Sequence, residues 1–422
     1  GAADADVPAE EGQAKERAWE LFTGKPNSKG GSVGKSLMVG VPIIRFHLGA
    51  THWLPYHRRN EIQNSKGNAM RLGMFMQPVH DPKRDLSQVL EEDRQTVIMA
   101  DKLGYHEFWI GEHTAATSEP ITDPMVFLAT LLGETKQIKM GPGVYCLPHH
   151  HPSRIAGQAA LFDHLSKGRF QMGIGNGTLS SDVELFEVGG DTDRGAMVRE
   201  SIEHILAIWA GEPPYTREGE FWNVKIEDTG RADYGVGHFI KPYQQPHPPI
   251  AISIMSPNSG SARLAGEQGW IPISGAAFLH PRYTASHWQA YQEGCEKAGR
   301  TANPDIWRVS RNIIVAPTDQ EAHDYIMDAD GPVSFWFRYL LSSLKARGLL
   351  AFVAPEGHPD PDSITWQEVA EYQVAWGSPA TVTDKLVALR DQTGPFGVLT
   401  AMALEWSPEF GKQTMTLLAE EV

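Results

Sequence analysis

Two adjacent polar residues, Glu112 and His113, follow the apolar run HEFWIG and precede the small polar loop TAATSEP. A histidine can donate a hydrogen bond or transfer a proton near neutral pH, and a neighbouring carboxylate can bias its tautomer. The pair could therefore carry proton chemistry, with Glu112 supporting the ring of His113. Taken alone, a histidine at such a place is more often structural and bonded to a loop carbonyl.

Two further polar runs could hold a phosphate. MSPNSGSARLAGEQG places Ser, Asn and Gly at the start of a predicted helix, where free N–H groups and the positive end of the helix dipole favour an anion. The same residue types are also ordinary helix caps. A second run, GIGNGTLSSD, and Arg194 at the start of the next helix make a phosphate cradle the more reasonable interpretation. The sequence therefore predicts a phosphorylated cofactor.

Three consecutive histidines, His149, His150 and His151, lie in the segment GPGVYCLPHHHPSR. Alternate side chains of an extended chain point to opposite faces, and no other ligand spacing accompanies these three, so no metal site is expected. The two glycines of GPG indicate a backbone that a planar group approaches closely, or one with unusual dihedral angles.

From Met70 onward, short apolar runs alternate with helix-length amphipathic stretches, which is typical of parallel strands joined by helices. The predicted strands are 71–77, 106–111, 138–147, 169–174, 250–255, 270–274, 308–315 and 397–404. The predicted helices are 86–103, 123–135, 153–165, 194–210, 259–268, 281–298, a helix from 319 onward, and 408–421. Eight such pairs favour an α/β fold of the (β/α)8 TIM-barrel type over 70–422. In that fold functional side chains lie at the carboxyl ends of the strands, where Glu112 and His113 stand.

Two connections, 212–249 and 327–394, are too long for plain loops. Long insertions in α/β enzymes usually shape a substrate pocket or lid. The second contains the aromatic cluster Phe335, Trp336, Phe337 and Tyr339, which suits either a pocket for a bulky apolar substrate or a satellite core or subunit interface. Residues 1–69 do not follow the alternation, and we expect an N-terminal extension that wraps on the barrel or is partly disordered.

Composition excludes several classes of partner. The 422 residues carry a formal net charge of −15 and no basic block, which argues against nucleic acid. No apolar run approaches the roughly 20 residues that span a bilayer. Only two cysteines occur, Cys146 and Cys295, without ligand spacing, which indicates a reducing compartment. A cytoplasmic protein is expected.

Taken in order, the segments RLGMFMQP, WIGEH, GPGVYCLPHHHPSR, LFDHLSKGRFQMGIGNG, DRGAM, SPNSGSARLAGEQG and WGSPATVTDKL resemble the bacterial luciferase-like flavin monooxygenases. The resemblance implies a (β/α)8 barrel that binds FMN, reduced by a separate flavin reductase, and lets it react with O2. A C4a-peroxyflavin then oxygenates a small organic substrate by hydroxylation, epoxidation or Baeyer–Villiger chemistry. Family precedent also implies a homodimer.

The resemblance assigns roles to individual residues. His113 matches the catalytic histidine that hydrogen-bonds or protonates the flavin adduct or substrate, and Glu112 the acidic residue before it. Gly143 and Val144 fall where the family often has a cis peptide beneath the flavin ring. The phosphate region is matched by the following set: Asn176, Arg194, Ser256, Asn258, Ser259, Gly260 and Ser261.

The chain also departs from the luciferase pattern. Gly175 stands where luciferase has a reactive cysteine, which would open room beside the flavin. Thr114 replaces a second histidine, which argues against luciferase-like aldehyde chemistry. The pattern is more similar to the branch that oxidises terpenoids and cyclic ketones, including limonene monooxygenase.

Two alternatives to an FMN monooxygenase remain at this stage. The same superfamily contains deazaflavin-dependent dehydrogenases and reductases, which move a hydride and avoid O2. It also contains flavin-binding proteins without turnover. The intact His113 and phosphate segments argue against the second of these, and the motifs favour the monooxygenase over the first.

Overall fold

The computed structural model describes residues 62–63, 69–404 and 407–422, and its centre is a ring of parallel strands. The expected N-terminal extension lies outside the described residues, except for a two-residue strand and Ala69. The strands are β1 (Ile62–Gln63), β2 (Ala69–Met76), β3 (Glu107–Ile110), β4 (Lys139–Pro142), β5 (Tyr145–Cys146), β6 (Met172–Gly175), β7 (Tyr215–Arg217), β8 (Val224–Ile226), β9 (Ile250–Ile254), β10 (Ile271–Ser274), β11 (Arg308–Val315), β12 (Ala375–Gly377) and β13 (Val398–Met402).

The barrel closes at the position of its third strand. The order β4-β3-β2-β13-β11-β10-β9-β6-β5 is parallel throughout, and Met140 of β4 also bridges to Phe170 just before β6. The predicted unbroken strand 138–147 is wrong: it is split into β4, which pairs with β3, and β5, which pairs with β6. Between them the Gly143-Val144 peptide is cis, as the resemblance predicted. The parallel strand order and the closing bridge confirm the predicted barrel fold.

Helices surround the barrel where the sequence provides amphipathic stretches with caps. They are α1 (Leu86–Lys102), α2 (Pro124–Ala129), α3 (Pro152–Ser166), α4 (Ser180–Leu185), α5 (Arg194–Ala210), α6 (Gly260–Gln268), α7 (Pro281–Lys297), α8 (Asp319–Ile326), α9 (Pro332–Ala346), α10 (Trp366–Gln373), α11 (Pro379–Thr393) and α12 (Pro408–Glu420). Asp85, Asp123 and Ser259 each cap a helix by accepting a backbone N–H in its first turn. Over the described residues, no helix combines the length and apolarity that crossing a bilayer requires.

The first long connection does not shape the site. It joins the end of α5 to the start of β9, so both its ends lie at the amino-terminal rim of the barrel. It forms the hairpin β7–β8, and Lys241 anchors it to the carbonyls of Ile208 and Gly211. The expectation of a lid or pocket wall is therefore wrong for 212–249, because a helix-to-strand connection returns to the rim opposite the functional loops.

The second long connection stands at the functional rim. After β11 the chain forms α8, α9 and α10, then β12 extends the carboxyl half of β11 through the pairs Ile313–Ala375 and Val315–Gly377. The barrel helix that packs beside α7 is α11, within 327–394, rather than the helix that starts at Asp319. Trp336 and Phe337 are buried in an apolar cluster that includes Phe75 and Trp109 of the barrel. Of the two interpretations left open, the structure therefore supports a core for these two aromatic residues.

A buried ion pair crosses the barrel interior near its amino-terminal rim. Glu107, the first residue of β3, accepts two hydrogen bonds from Arg308, the first residue of β11, at 3.0 and 2.7 Å. Trp109 donates to the same carboxylate at 2.7 Å. Burial alone would raise the pKa of Glu107, but the Arg308 guanidinium lowers it to about 2. The pair is therefore charged at neutral pH.

We expect Glu107→Gln to lower the free energy of unfolding by about 3–5 kcal/mol, because it leaves Arg308 buried without a counter-charge. Urea unfolding at pH 7 measures the change. Glu267→Gln, which breaks the exposed pair with Lys297, is the matched control and should leave the unfolding midpoint unchanged. Equal effects of the two substitutions would contradict the prediction, whereas partial recovery in Glu107→Gln/Arg308→Met would support it.

Candidate active site

A cavity of about 330 Å³ opens at the carboxyl ends of the barrel strands. It lies where parallel strands of a barrel present their functional loops. Most of the residues predicted from the sequence line it together: Glu112, His113, Gly143, Val144, Asn176, Ser256, Ser259 and Ser261. Segments far apart in the chain thus meet in one place.

Three predicted residues lie beside the cavity rather than on its wall. Arg194 begins α5 and donates a hydrogen bond to the carbonyl of Gly177, a lining residue. Asn258 has a positive φ of 51° and shapes the loop before α6: its N–H donates to Ser286 and its carbonyl accepts from Arg263. Gly260 is the first residue of α6, and a Cβ placed there would meet nothing within 4 Å.

The start of α6 combines capping with anion-binding chemistry. Ser259 caps the helix by accepting the N–H of Ser261 at 3.1 Å, and both residues line the cavity. Ser256, which also lines it, is fixed through its carbonyl by His287 at 3.0 Å. Burial lowers the pKa of His287 to about 4, so this ring is neutral at neutral pH. Hydroxyls and the positive end of a nine-residue helix therefore face the cavity together.

The ring of His113 lies between two buried carboxylates. Its Nε2 is 3.1 Å from Oε2 of Glu119, and its Nδ1 is 3.4 Å from Oδ2 of Asp182. The ring therefore contacts two acids, with a hydrogen bond to Asp182, and not a loop carbonyl, which was the structural alternative. A protonated ring can donate to both acids at once, whereas a neutral ring can donate to one.

Glu119 also binds two other segments of the chain. Its Oε2 accepts the amide of Gln77 at 3.0 Å, and its Oε1 accepts the hydroxyl of Tyr339 at 2.6 Å. Only 1 % of the Glu119 side chain is exposed. Burial, and then the Glu119 carboxylate, raise the pKa of Tyr339, so the hydroxyl keeps its proton and donates it. The acid is therefore held at both oxygens.

Asp182 holds the loop that carries His113. The carboxylate accepts the backbone N–H of Thr114 at 3.1 Å and that of Ala115 at 2.7 Å. Asp182 belongs to the short helix α4, which follows the glycine-rich end of β6. The ends of β3 and β6, which lie on either side of the third strand position, are thereby tied together.

Glu112 has a different role from the one expected. It accepts the N–H of Cys146 at 2.9 Å and contacts Nε2 of His150. The expectation that Glu112 supports the ring of His113 is therefore corrected, because the ring contacts of His113 go to Glu119 and Asp182. Adjacent side chains at a strand end point apart, so Glu112 reaches the third strand while His113 points elsewhere.

The three consecutive histidines have three separate partners. His149 stacks on Phe186 with ring centroids 4.5 Å apart, and burial lowers its pKa. His150 pairs with Glu112, and His151 caps α3 by accepting the N–H of Ser153. Nε2 of His149, by contrast, is buried without a hydrogen-bond partner among the described residues.

Glycines give the cavity a wall of backbone. A Cβ at Gly143 would lie 2.9 Å from side-chain atoms of Phe75 and Trp109. A Cβ at Gly175 would lie 2.6 Å from Cγ2 of Val144. The expectation that Gly175 opens room is thus corrected: the methyl group of Val144 occupies that space. Apolar side chains complete the lining: Phe75, Ile252, Met255, Phe278 and Met402.

Sequence reasoning missed the acids of His113 and the tyrosine that holds one of them. Glu119 stands six residues after His113 in the quoted loop TAATSEP, and Asp182 ends the quoted run GIGNGTLSSD, so both had a local signal. Tyr339 had none beyond its aromatic cluster, because its partner is 220 residues away in sequence.

Comparison with known proteins identifies relatives of this chain. Residues 70–395 match the family model of the luciferase-like monooxygenases. The 3,6-diketocamphane 1,6-monooxygenase of Pseudomonas putida is 30 % identical over 374 residues, covering 84 % of this chain and 97 % of that protein. Limonene 1,2-monooxygenase of Rhodococcus erythropolis is 29 % identical over 353 residues, covering 83 % and 85 %.

A solved structure matches in fold as well as in sequence. It is the oxygenating constituent of 3,6-diketocamphane monooxygenase from P. putida in complex with FMN, described as a type II Baeyer–Villiger monooxygenase. The TM-score is 0.76 at 29 % identity, covering 84 % of this chain and 97 % of that one.

We expect Cys146 to react slowly with thiol reagents although it lines the cavity. Burial, and then the charges of Glu112 and Asp182, raise its pKa well above the usual value, which lowers the fraction of reactive thiolate at any pH below it. In a Cys295→Ser background, the disulfide reagent DTNB at pH 8 should label the native protein at least about 100-fold more slowly than the urea-unfolded protein. Similar rates in the two states would show an accessible thiolate instead.

Proposed function

The chain belongs to the luciferase-like monooxygenase family, and we propose that it uses reduced FMN and O2 to oxygenate a small apolar organic substrate. One observation carries the proposal: a single cavity joins His113, a glycine-rich backbone wall and the hydroxyl-lined start of α6. The histidine suits proton transfer, the backbone wall suits a planar ring, and the helix start suits a phosphate.

The donors of the cavity suit FMN. The hydroxyls of Ser256, Ser259 and Ser261 and the start of α6 would hold the phosphate. Arg194, next to the lining residue Gly177, would add a cationic contact at the rim, and Asn176 an amide. The wall at Gly143 and Val144 would face the flavin ring. Bound reduced FMN supplies the electrons that activate O2.

His113 would hold or move a proton where the oxygen chemistry takes place. It lines the cavity, and its ring is placed by two acids that are themselves fully hydrogen-bonded. Such placement makes a single side chain effective as a proton donor or acceptor. It also favours an enzyme over a protein that only binds flavin.

The apolar side chains of the cavity lining favour a small hydrocarbon-like substrate. Phe75, Met255, Phe278 and Met402 offer no charge to such a molecule. Two relatives are named for diketocamphane and limonene, which are terpenoids. We propose the same class here, oxygenated by hydroxylation, epoxidation or Baeyer–Villiger insertion.

Two partners follow from the proposal. The relative of known structure is an oxygenating constituent, which implies a second protein that reduces the flavin. We propose a separate flavin reductase for this chain, and a homodimer as its assembly. The alternative of a deazaflavin-dependent dehydrogenase is an outcome of the following test.

We expect the protein to bind FMN more tightly than the deazaflavin cofactor in a fluorescence titration. Mixing the complex of protein and reduced FMN with O2 in a stopped-flow spectrometer should give a long-lived absorbance band that neither oxidised nor reduced FMN has. The apolar side chains of the lining would help to keep water from the reacting atoms. Tight deazaflavin binding without such a band would reject the monooxygenase in favour of the dehydrogenase.

His113→Ala and Arg194→Ala should separate chemistry from binding. We expect His113→Ala to lower kcat by about 100-fold or more with little change in the Kd for FMN, because the ring acts on protons. Arg194→Ala should weaken FMN binding by about 1.5–3 kcal/mol through loss of a charge-assisted contact. Limonene and 3,6-diketocamphane serve as trial substrates. Unchanged kcat in His113→Ala would remove it from the reaction.

A further inference from the structure

We propose that Glu119 is the positioning residue of His113, and that Tyr339 makes helix α9 part of the catalytic unit. Neither residue lines the cavity, so each would act through His113 and not on the substrate itself. The effect on turnover depends on the function proposed above, whereas the effect on the histidine ring does not.

The side chain of Glu119 is buried, with 1 % of it exposed. A carboxylate removed from water is stable only when donors satisfy its oxygens. Gln77 after β2 and Tyr339 on α9 each donate a hydrogen bond to it, and Nε2 of His113 lies 3.1 Å from Oε2. Since the acid cannot move without losing these contacts, its Oε2 is a fixed point for Nε2 of His113.

Glu119 and Asp182 hold the ring of His113 at different nitrogens. Asp182 is hydrogen-bonded to Nδ1 at 3.4 Å and also accepts two backbone N–H groups of the loop at 2.7–3.2 Å. The carboxylate of Glu119 lies closer to the ring, with Oε2 3.1 Å from Nε2, and its hydrogen bonds come from side chains. Asp182 thus fixes the loop together with Nδ1, while Glu119 fixes the position of Nε2.

Tyr339 fixes the other oxygen of Glu119. Its hydroxyl provides the bond to Oε1 of Glu119, and its raised pKa keeps it a donor across the working pH range. The helix that carries it is fixed by Trp336, Phe337 and Leu340, which are buried in the apolar cluster shared with the barrel. The position of α9 is thereby transmitted through Glu119 to the ring of His113.

The test compares Glu119→Gln and Tyr339→Phe with a matched control. Tyr372→Phe removes a hydroxyl from α10 of the same connection, away from His113. Protein labelled with ¹⁵N-histidine, free of flavin, reports the protonation and bonding of the His113 ring by NMR, with the signal assigned from His113→Gln. Turnover, KM and the Kd for FMN are measured on the same variants.

We expect the His113 ring signals to shift in Glu119→Gln and in Tyr339→Phe, and to stay unchanged in Tyr372→Phe. Misplacing a reacting group by about 1 Å can lower the rate 100-fold. We therefore expect kcat to fall by about 100-fold in Glu119→Gln and about 10-fold in Tyr339→Phe. KM and the Kd for FMN should stay within about twofold, and Glu119→Asp should retain more activity than Glu119→Gln.

Unshifted ring signals in both variants would overturn the proposal, whatever the reaction. Shifted signals with unchanged kcat would also overturn it, because the ring would then be reoriented without consequence. If the wild-type protein oxygenates no trial substrate, the proposed function fails separately and the ring signals still decide whether Glu119 orients His113. Tyr339→Phe keeps the aromatic packing, so it gives the answer even if Glu119→Gln does not fold.

Discussion

The functional end of this protein depends on the burial of one carboxylate, that of Glu119. An acid excluded from water must be surrounded by polar partners, and here they come from Gln77 just after β2, from the loop after β3 and from α9. The same requirement therefore brings together a barrel strand, the loop of His113 and a helix more than 200 residues away in sequence. Packing alone would tolerate small shifts of α9, but a hydrogen bond of 2.6 Å at a buried acid does not.

A buried carboxylate at the amino-terminal end of the barrel is likewise surrounded by donors. Glu107 is satisfied by Arg308 and by Trp109. Trp109 in turn lies against the backbone wall of the cavity, since a Cβ added to Gly143 would be only 2.9 Å from the Cβ of Trp109. The buried ion pair, the indole and the glycine wall thus form one connected column through the barrel, which links the stability of the core to the shape of the cavity.

How much the sequence predicted depended on the range of each interaction. The strands were recognisable because parallel strands covered on both faces are rich in apolar residues, as β9 and β13 are. Most site residues were recognisable because strand ends and helix starts carry local signals, as Ser259 does. The acid partner of His113 required knowledge of which loop residue turns inward, and Tyr339 required the tertiary structure. The effect of Gly175 depended on Val144 of the neighbouring strand, which no pattern within one strand reveals.

The two long connections show why length alone does not predict a role. The connection 212–249 follows a helix and returns to the amino-terminal rim, so its topology already separates it from the cavity. The other follows β11 and stands at the functional rim, yet the apolar residues that line the cavity, such as Phe75 and Met402, come from the barrel. Trp336 and Phe337 instead form the core that fixes α9. Substrate shape would accordingly be recognised mainly by residues at the strand ends, while the connection would hold the ring of His113 in place through Tyr339 and Glu119. The two properties can then vary independently, because side chains such as Phe75 and Met402 can change size without disturbing the bond between Tyr339 and Glu119.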